Sequence, residues 1–401
     1  MTELTIIGGL VAILLLLGSA EGIAHRRNLR RIPVRIHVNG TRGKSSVTRL
    51  IAGGLRAGGI VTCAKTTGTS ATMILPDGSE YMVHRPAQPN ILEQVRIVDM
   101  AVEAHAQVLV IECMALQPLL QSLSELRLVR ATHGVITNVR ADHLDVMGPE
   151  ESDVALAIAS TVPVGGILFT AADSQLSVLE DAARDRGTEL VHVSAEDGAA
   201  VSDEEIRGFS YLEHKQNVAL ALRVCESQGV ERSVALRGMW EAKADPGVLT
   251  LHEIEFFGRR VIFANGLAAN DPESTGQVWR KVLDMVPEVS KRIALFNCRV
   301  DRPDRSRQLG EACVNWPEAD HYVLMGTGTY IFARAAIAKG LDVRKLAIAE
   351  NQGPSEIFET LLERSGDSAL IMGMGNIHGG GAELARFFRN RGTLRDLHGW
   401  N

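Results

Sequence analysis

A glycine-punctuated loop with one lysine is the clearest chemical feature of the 401-residue sequence. Residues 39–46 read Asn-Gly-Thr-Arg-Gly-Lys-Ser-Ser, after an apolar run at 34–38 and before a helix-like segment. Glycines let backbone N–H groups approach an anion, lysine reaches terminal phosphate oxygens, and the next serine can bind Mg²⁺. The loop predicts binding of a nucleoside triphosphate; its short spacing leaves an ordinary strand-to-helix turn as the alternative. The predicted nucleotide ligands are Gly40, Thr41, Arg42, Gly43, Lys44, Ser45 and Ser46.

Polar side chains after two later apolar runs could complete this site. Glu112 ends the run at 106–111 and could hold Mg²⁺ beside the loop, with a strand-end cap as the alternative. Residues 136–145 read Ile-Thr-Asn-Val-Arg-Ala-Asp-His-Leu-Asp, which places an amide, carboxylates and an imidazole beyond another strand. Such a cluster can ligate a metal and orient a reacting group. We therefore predict Ser45, Glu112 and His143 as metal ligands.

The elements that must position these residues form two series of apolar, β-rich runs separated by helical stretches. The runs lie at 34–38, 108–111, 134–139, 167–170 and 190–193, and then at 261–264, 293–296, 322–325 and 369–372. This alternation favours an α/β fold with parallel sheets covered by helices. The segment Asp245-Pro246-Gly247 is the best boundary between the series, and residues 65–90 are predicted to be a loop region.

The runs of the second series each break into Gly, Asn or Arg. Ligands of open α/β sheets collect at the carboxyl ends of strands, so these residues could face one crevice. For each glycine alone, a simple turn is the competing interpretation. The residues are Asn265, Asn297, Arg299, Gly326, Gly373, Asn376 and His378.

The N-terminal segment predicts a membrane anchor. Residues 4–20 carry no charge and precede four arginines at 26–31, the order expected for a helix whose basic flank stays in the cytoplasm. A cleaved signal peptide and a buried core helix are the alternatives. The predicted layout is an anchor at 1–25, a basic juxtamembrane linker at 26–33, an ATP-binding domain at 34–245 and a second α/β domain at 246–401.

The composition of the chain limits the kinds of partner and the cellular location that we expect. A net charge of -6 and an aromatic content of 4% argue against nucleic-acid binding. The five cysteines are scattered without Cys-x-x-Cys spacing, so we expect reduced, mostly buried thiols and a cytosolic location for most of the chain.

These motifs resemble the Mur ligase superfamily, whose members join a carboxylate to an amine. The loop at 40–45, Glu112 and the cluster at 137–145 are similar to its central ATP-binding domain. Residues 214–221, His-Lys-Gln-Asn-Val-Ala-Leu-Ala, resemble its segment on the adenine side. Within the superfamily, the chain resembles the bacterial poly-γ-glutamate synthase family almost from end to end. The matching strings lie at 65–69, 112–115, 142–148, 265–271, 297–302 and 375–379.

The resemblance implies a P-loop central domain, a smaller Rossmann-like C-terminal domain and one transmembrane helix. It implies ATP- and Mg²⁺-dependent polymerisation of glutamate through an acyl phosphate, at the cytoplasmic face of the cell membrane. Small membrane subunits of a synthase and export complex are expected partners, and a homo-oligomer is compatible. The implied catalytic residues are Lys44, Glu112, His143 and Arg302; the implied nucleotide ligands include Asn217, Asn270, Asp271 and Arg302. The implied substrate residues are Lys65, Thr66, Thr67, Asn138, Arg299, Asn376 and His378.

Two departures from the superfamily refine this expectation. Ala157 replaces a lysine that many members carbamylate to hold a second metal, which argues against a second Mg²⁺ held that way. The sequence passes from its anchor directly to the P-loop domain, which argues against a peptidoglycan precursor as substrate. A membrane-tethered P-loop ATPase or regulatory subunit and a folyl-polyglutamate-type ligase are the competing functions. For Arg299 and Arg302, a surface ion-pair network is the alternative role.

Overall fold

The computed structural model describes residues 2–68, 71–85, 89–245, 247–269 and 271–395. Its contacts divide the chain into two compact units. Unit 1 comprises Met1–Phe209 and Glu213–Ala244, and unit 2 comprises Ser210–Leu212 and Asp245–Asn401. Each unit is built around one sheet.

Unit 1 contains an eight-stranded sheet in the order β4-β3-β2-β5-β1-β6-β7-β8. Its strands are β1 (Val34–Asn39), β2 (Thr62–Thr66), β3 (Thr72–Ile74), β4 (Glu80–Met82), β5 (Val108–Glu112), β6 (His133–Ile136), β7 (Ile167–Thr170) and β8 (Glu189–His192). Six neighbouring strands of the sheet, in the order β2-β5-β1-β6-β7-β8, pair in parallel. At one edge, β3 and β4 pair antiparallel. Parallel pairing suits the apolar runs because helices cover both faces of such a sheet.

The register of this sheet brings the predicted site residues to one edge. Val38 pairs with Glu112 on one side of β1, and Asn39 pairs with Ile136 on the other. The P-loop, the carboxylate of β5 and the loop after β6 therefore follow neighbouring strand ends, where α/β sheets bind ligands.

Eleven α-helices are described in unit 1. They are α1 (Thr2–Arg31), α2 (Lys44–Ala57), α3 (Glu93–Glu103), α4 (Pro118–Leu123), α5 (Leu144–Met147), α6 (Glu151–Ala159), α7 (Leu176–Asp185), α8 (Ala195–Ala199), α9 (Asp203–Arg207), α10 (Lys215–Ser227) and α11 (Arg232–Glu241), and a π-helical segment spans Ser124–Val129. Helix α2 begins directly after the P-loop and buries residues 47–55 in the core.

Helix α1 has two parts with different surroundings. The span Thr5–Arg31 is long and apolar enough to cross a membrane, since an 18-residue window within it has a mean hydropathy of 2.2, and its leucines at 14–17 are exposed. Its last turns dock on unit 1 through Leu29, while Asn28 Nδ2 donates to Asp99 at 2.8 Å. Arg35 then donates to the carbonyl of Leu29, one of the acceptors left free in the last turn of the helix, and to that of Ile32, which follows the helix. Most of the linker predicted at 26–33 is thus helical, since residues 26–31 form the end of α1.

Unit 2 contains a seven-stranded sheet in the order β13-β12-β11-β14-β10-β9-β15. Its strands are β9 (Leu251–Phe256), β10 (Arg259–Asn265), β11 (Lys291–Cys298), β12 (His321–Gly326), β13 (Leu346–Glu350), β14 (Ser368–Gly375) and β15 (Thr393–Leu394). Its helices are α12 (Pro272–Met285), α13 (Pro303–Ala312), α14 (Thr329–Ala338), α15 (Pro354–Leu362) and α16 (Gly381–Arg389), with 3₁₀ turns at Cys313–Asn315 and Val343–Lys345. Buried apolar clusters cover both faces of this sheet.

The α/β fold class is confirmed, with corrections to the sheets. Both are mixed, because β3 and β4 in unit 1 and β9 and β15 in unit 2 pair antiparallel. The prediction of a loop at 65–90 is wrong at its start, because Lys65 and Thr66 are the last residues of β2 and their side chains are fully buried. The five cysteines are free and buried, as expected.

Candidate active site

The P-loop conformation depends on its two glycines. Gly40 has φ 130°, and a Cβ there would lie 2.1 Å from Thr137 Oγ1, so no other residue fits without displacing the loop after β6. Gly43 has φ 80° and caps α2. Lys44 Nζ lies over the loop and donates to the Gly40 carbonyl at 2.6 Å. A cradle of backbone at a helix N-terminus, crossed by a lysine, is suited to a phosphate chain.

The loop after β6 braces this cradle. Thr137 Oγ1 donates to the Arg42 carbonyl at 2.6 Å. Asn138 Oδ1 accepts from Thr41 Oγ1 at 2.6 Å and from Arg42 N at 3.0 Å, while its Nδ2 donates to the Arg42 carbonyl. The structure therefore gives Asn138 a bracing role, and its contact with substrate stays a prediction.

Ser45 and Glu112 come together as the sequence predicted. Ser45 Oγ donates to Glu112 Oε2 at 2.8 Å, and the same oxygen accepts from Thr67 N at 2.6 Å. Glu112 is buried and Ser45 is half-buried. A hydroxyl and a carboxylate oxygen side by side next to a phosphate cradle fit the oxygen ligands that a hard divalent cation takes.

His143 lies on the loop between β6 and α5, in the left-handed region at φ 49°. Its Nε2 is 4.0 Å from Asp142 Oδ1, and Asp142 is 3.7 Å from the Arg42 guanidinium. The acidic and imidazole side chains of this loop are thus linked to the P-loop through Arg42. A role of His143 as a metal ligand stays a prediction.

Lys65 is buried in an ion pair that the sequence analysis did not identify. Its Nζ lies 2.8 Å from Glu93 Oε1, and Glu93 also accepts two hydrogen bonds from Arg85. Burial lowers the pKa of Lys65, and the negative charges of Glu93 and then Glu112 oppose that shift. Burial would raise the pKa of Glu93, but the hydrogen bonds from Arg85 and Lys65 outweigh it and lower that pKa. Glu93 is therefore the charged anchor of this cluster.

Asn217 lies against the P-loop. A Cβ on Gly43 would be 3.0 Å from Asn217 Oδ1, so the amide packs directly over the start of α2. Its Nδ2 donates to Glu213 Oε1 at 2.8 Å. Glu213 was not among the residues predicted from sequence. It lies just before the N-cap His214 of α10, and no local motif marks it.

The comparisons with known proteins cover both units. Residues 38–243 match the Mur ligase middle domain, and residues 251–391 match the poly-gamma-glutamate synthase CapB C-terminal domain. The chain is 36% identical over 375 residues to PGA synthase CapB of Bacillus subtilis (strain 168), covering 93% of this chain and 94% of that protein. The chain belongs to the CapB family of poly-γ-glutamate synthases. This confirms the family predicted from the motifs.

A second CapB relative and two solved structures agree with this membership. The capsule biosynthesis protein CapB of Bacillus anthracis is 35% identical over 381 residues, covering 94% of this chain and 81% of that protein. Escherichia coli FolC in complex with ADP aligns with a TM-score of 0.66 at 15% identity over 92% of each chain. A bifunctional folylpolyglutamate synthase/dihydrofolate synthase of Yersinia pestis, complexed with AMPPNP and Mn ion, aligns at 0.67 with 12% identity over 91% of this chain and 92% of that one. These structures show the shared ligase fold.

In unit 2 of this CapB family member, the predicted arginines differ in their surroundings. Arg299 holds Asp301 through two hydrogen bonds, of 2.9 and 2.6 Å, which is the ion-pair role considered as its alternative. The Arg302 side chain is exposed and has no ion-pair partner within the part of the chain that the structure describes. Arg302 therefore stays the predicted catalytic arginine, whereas Arg299 is already neutralised.

A glycine-rich turn after β14 holds the remaining predicted substrate residues. Asn376 is buried and exchanges hydrogen bonds with Asn297 through Nδ2 and the backbone carbonyl, at 2.9 and 2.6 Å. Arg305 donates to Asn376 Oδ1 at 2.6 Å. His378 follows on the exposed side, and burial of its ring and then the charge of Arg299 lower its pKa. These contacts build a rigid turn whose substrate role stays a prediction.

Asn270 and Asp271 are the other predicted nucleotide ligands of unit 2, and Ala157 is the residue predicted not to hold a second metal. Asn270 lies outside the described residues. Asp271 caps α12, accepting from Ser274 N at 2.9 Å. Ala157, where other superfamily members carry a lysine, is buried in α6, so this position supplies no metal ligand.

Proposed function

We propose that this CapB family member polymerises glutamate into poly-γ-glutamate and uses ATP to activate a carboxylate. The contact between Ser45 and Glu112 beside the P-loop carries the proposal, because it places a metal-binding oxygen pair next to a phosphate cradle. The family membership supplies the substrate, glutamate. An amide bond does not form from a carboxylate and an amine in water unless the carboxylate is first activated.

The first step transfers the γ-phosphoryl group. An oxygen of a glutamate γ-carboxylate attacks the γ-phosphorus of ATP, and the bond from that phosphorus to the β,γ-bridging oxygen breaks. ADP is released, and the glutamate now carries an acyl phosphate. Lys44 and the backbone N–H groups of the loop stabilise the charge that spreads over the transferred group. The bracing contacts of Thr137 and Asn138 hold the loop in place, so little reorganisation is needed during transfer.

The predicted metal is Mg²⁺, with Ser45, Glu112 and His143 as its protein ligands. A bound divalent cation neutralises phosphate charge and aligns the phosphate chain. Thr67 N holds Glu112 Oε2 in the orientation that also meets Ser45. Ligands fixed in this manner by a surrounding hydrogen bond bind metal in a defined geometry.

The second step forms the amide bond between two glutamates. The amine of another glutamate attacks the acyl carbon, a tetrahedral intermediate collapses, and phosphate leaves with the oxygen that came from the carboxylate. The amine loses a proton, so the products are an amide, ADP and phosphate. An exposed arginine such as Arg302 is suited to bind a substrate carboxylate or the leaving phosphate, because guanidinium pairs bidentately with both.

The apolar part of α1 supports a location at the cell membrane with both units in the cytoplasm. Its leucines at 14–17 are exposed among the described residues, and its basic end has the sign expected on the cytoplasmic side. Synthesis at the inner surface lets a polyanion pass to membrane partners without diffusing through the cytosol. Small membrane subunits are therefore the partners we propose.

The deciding experiment supplies membranes containing the protein with ATP, Mg²⁺ and each glutamate enantiomer, and measures ADP and polymer. Glutamate-dependent ADP release with isopeptide-linked product is expected. ATP turnover indifferent to amino acids would support a tethered ATPase, and a product that requires pteroate would support a folyl-polyglutamate ligase. Lys44→Ala is expected to abolish turnover, while Lys281→Ala, on the exposed face of α12, serves as the matched control.

A further inference from the structure

We infer that unit 1 has a second contact with the membrane, a basic surface that binds the headgroups of anionic phospholipids. This surface consists of the end of α1, the π-helical segment Ser124–Val129 and Arg130, which follows that segment. The inference rests on the proposed crossing of the membrane by α1. It goes beyond that location, because it makes part of the folded unit a lipid-binding surface in addition to the anchor.

A hydrogen bond fixes the depth of the π-helical segment relative to the membrane. His25 Nε2 lies 2.9 Å from the Leu128 carbonyl oxygen. His25 comes two residues after Ile23, the last large apolar residue in the exposed part of α1. At about 1.5 Å per residue, this step along the helix spans only about 3 Å. The headgroup layer on each side of a bilayer is roughly 5–8 Å thick, so the Leu128 carbonyl lies at headgroup level when the apolar part of α1 spans the hydrocarbon core.

Further contacts hold the π-helical segment at this depth. Arg35 Nε donates to the carbonyls of Val129 and Arg130, at 3.2 and 3.0 Å. Nη1 of the same guanidinium donates to the carbonyl of Leu29 at 3.2 Å. Leu29 and Val129 also belong to one buried apolar cluster. One arginine thus ties the end of α1 to the end of the π-helical segment, so the depth of the anchor sets the depth of the segment.

The surface that results is strongly basic. Of the acidic residues near it, Glu125 is buried against His37, and Asp99 accepts a hydrogen bond from Asn28. Guanidinium groups pair bidentately with phosphate, and an anionic leaflet attracts basic side chains that lie close to it. Six arginines of the surface are exposed and have no ion-pair partner within the part of the chain that the structure describes: Arg26, Arg27, Arg30, Arg31, Arg127 and Arg130.

The end of α1 also offers a groove with the polarity of a phospholipid. The groove has a volume of about 600 Å³, and it is lined by Ala20, Ile23, Ala24, Arg27, Asn28 and Arg31. An acyl chain beside the apolar residues places the lipid phosphate beside the two arginines, which come later on the helix. On the π-helical segment, the exposed Leu126 likewise precedes Arg127. Apolar groups bordered by arginines are typical of surfaces that lie in the headgroup layer.

The occupant that fits this surface is therefore the anionic phospholipid of the membrane that α1 crosses. Charge complementarity and continuity with the anchor both support this assignment. Electrostatic contacts of this kind are reversible and screened by salt, whereas an inserted helix is not, so α1 remains the anchor.

The test places the full chain in nanodiscs that contain phosphatidylcholine and phosphatidylglycerol. Leu126→Cys carries a fluorescent label, which reacts selectively because the five native cysteines are buried. The label is quenched by a nitroxide near the headgroup, attached either to phosphatidylglycerol or to phosphatidylcholine, in discs of one overall composition. We expect stronger quenching by the labelled phosphatidylglycerol. Arg127→Gln with Arg130→Gln should lower the ratio of the two quenching values by about twofold or more, because each arginine near the surface attracts anionic lipid.

Two controls match the reporter and the charge change. Ser233→Cys places the label on the exposed side of α11, a helix without a residue in the cluster that joins α1 to the π-helical segment, and should show little quenching by either lipid. Arg207→Gln with Arg237→Gln removes two exposed arginines from α9 and α11, and should keep the ratio measured at position 126.

The outcomes separate this inference from the proposed function. No quenching at position 126, in discs that retain the chain, would overturn the inference and leave the membrane location of α1 intact. Equal quenching by both lipids would also overturn it, since it shows proximity without recognition of charge. A label that becomes buried without quenching, only in discs that hold two copies, would assign the surface to a second copy of the chain instead. A chain that the discs do not retain would reject both the crossing by α1 and the lipid surface, whereas polymer formation in the same samples tests the ligase function separately.

Discussion

Ser45 Oγ lies 2.8 Å from Glu112 Oε2, although 67 residues separate the two along the chain. The parallel pairing of β1 with β5 creates this contact, since it aligns Val38 with Glu112 at the carboxyl edge of the sheet. The loop that follows β1 then turns Ser45 back over the same edge. The Ser45 hydroxyl and the Glu112 carboxylate thereby meet at the start of α2, where the helix N-terminus favours an anion and the carboxylate supplies the negative charge for its cation.

Glu112→Gln should weaken metal binding more than it weakens folding. The amide oxygen keeps a partner for Thr67 N, but the charge that attracts a divalent cation is lost. We expect the Mg²⁺ concentration for half-maximal ADP release to rise about tenfold or more. Glu103→Gln, an exposed residue at the end of α3, is the control. An unchanged Mg²⁺ requirement would reject Glu112 as a ligand.

Breaking the buried ion pair between Lys65 and Glu93 should destabilise unit 1. Glu93→Met leaves Lys65 as an unpaired cation in the core, so the free energy of unfolding should fall by about 3–5 kcal/mol. The double variant with Lys65→Met should recover much of this loss, because an apolar pair has no charge to desolvate. Denaturant titration of the single and double variants measures the difference; a double variant less stable than Glu93→Met would contradict the account.

The stability of the protein should decline as the pH rises from about 6.5 to 9. His37 Nδ1 is 2.7 Å from Glu125 Oε2 in the core. Burial alone would lower the pKa of His37, but its interactions with Cys113 and Glu125 raise it to about 9. The folded state therefore holds a proton that the unfolded state releases near pH 6.5, and the resulting stabilisation is lost as the pH passes through 9.

Chemical denaturation across this pH range measures the effect. His37→Gln should flatten the decline, while His192→Gln, in an exposed contact with Asp173, should leave it unchanged. A steep decline that persists in His37→Gln would assign the titration to another group.

A truncation should show that the two parts of α1 have different roles, the first in membrane attachment and the second in folding. Removal of residues 1–24 should release the protein from membranes and preserve its fold, since docking begins at His25, whose Nε2 lies 2.9 Å from the Leu128 carbonyl. Ile32→Ala, by contrast, should cost about 2–5 kcal/mol because the side chain is fully buried. Carbonate extraction and thermal melting test the two effects; a truncated protein that stays with membranes would locate the anchor elsewhere.

A site residue could be predicted from sequence when the signal for it is local, but not when its hydrogen-bond partner lies far along the chain. Gly40, Ser45 and Glu112 were predictable because strand ends and glycine spacing are local signals. Lys65 was placed in a loop because it begins a polar stretch that contains several Pro and Gly residues. In the structure, Glu93, 28 residues later, pairs with the buried ammonium group of Lys65 in β2. Sequence spacing could not show that contact.

Glu213 illustrates a second kind of gap. Its neighbour His214 carries the more familiar chemistry, but the structure joins Glu213, just before α10, to Asn217 in the first turn of that helix. In unit 2, the ion pair between Arg299 and Asp301 was foreseen as an alternative, whereas the contact of Arg305 with Asn376 depends on the pairing of β11 with β14.

The most direct test of carboxylate activation is isotope transfer. Glutamate labelled with ¹⁸O in its carboxyl groups is supplied with ATP and Mg²⁺, and the phosphate released is analysed by mass spectrometry. Activation through an acyl phosphate predicts one ¹⁸O atom in phosphate for each isopeptide bond formed, and no labelled phosphate from Lys44→Ala. Polymer formed with unlabelled phosphate would contradict the account, as would ADP release that is the same with and without glutamate.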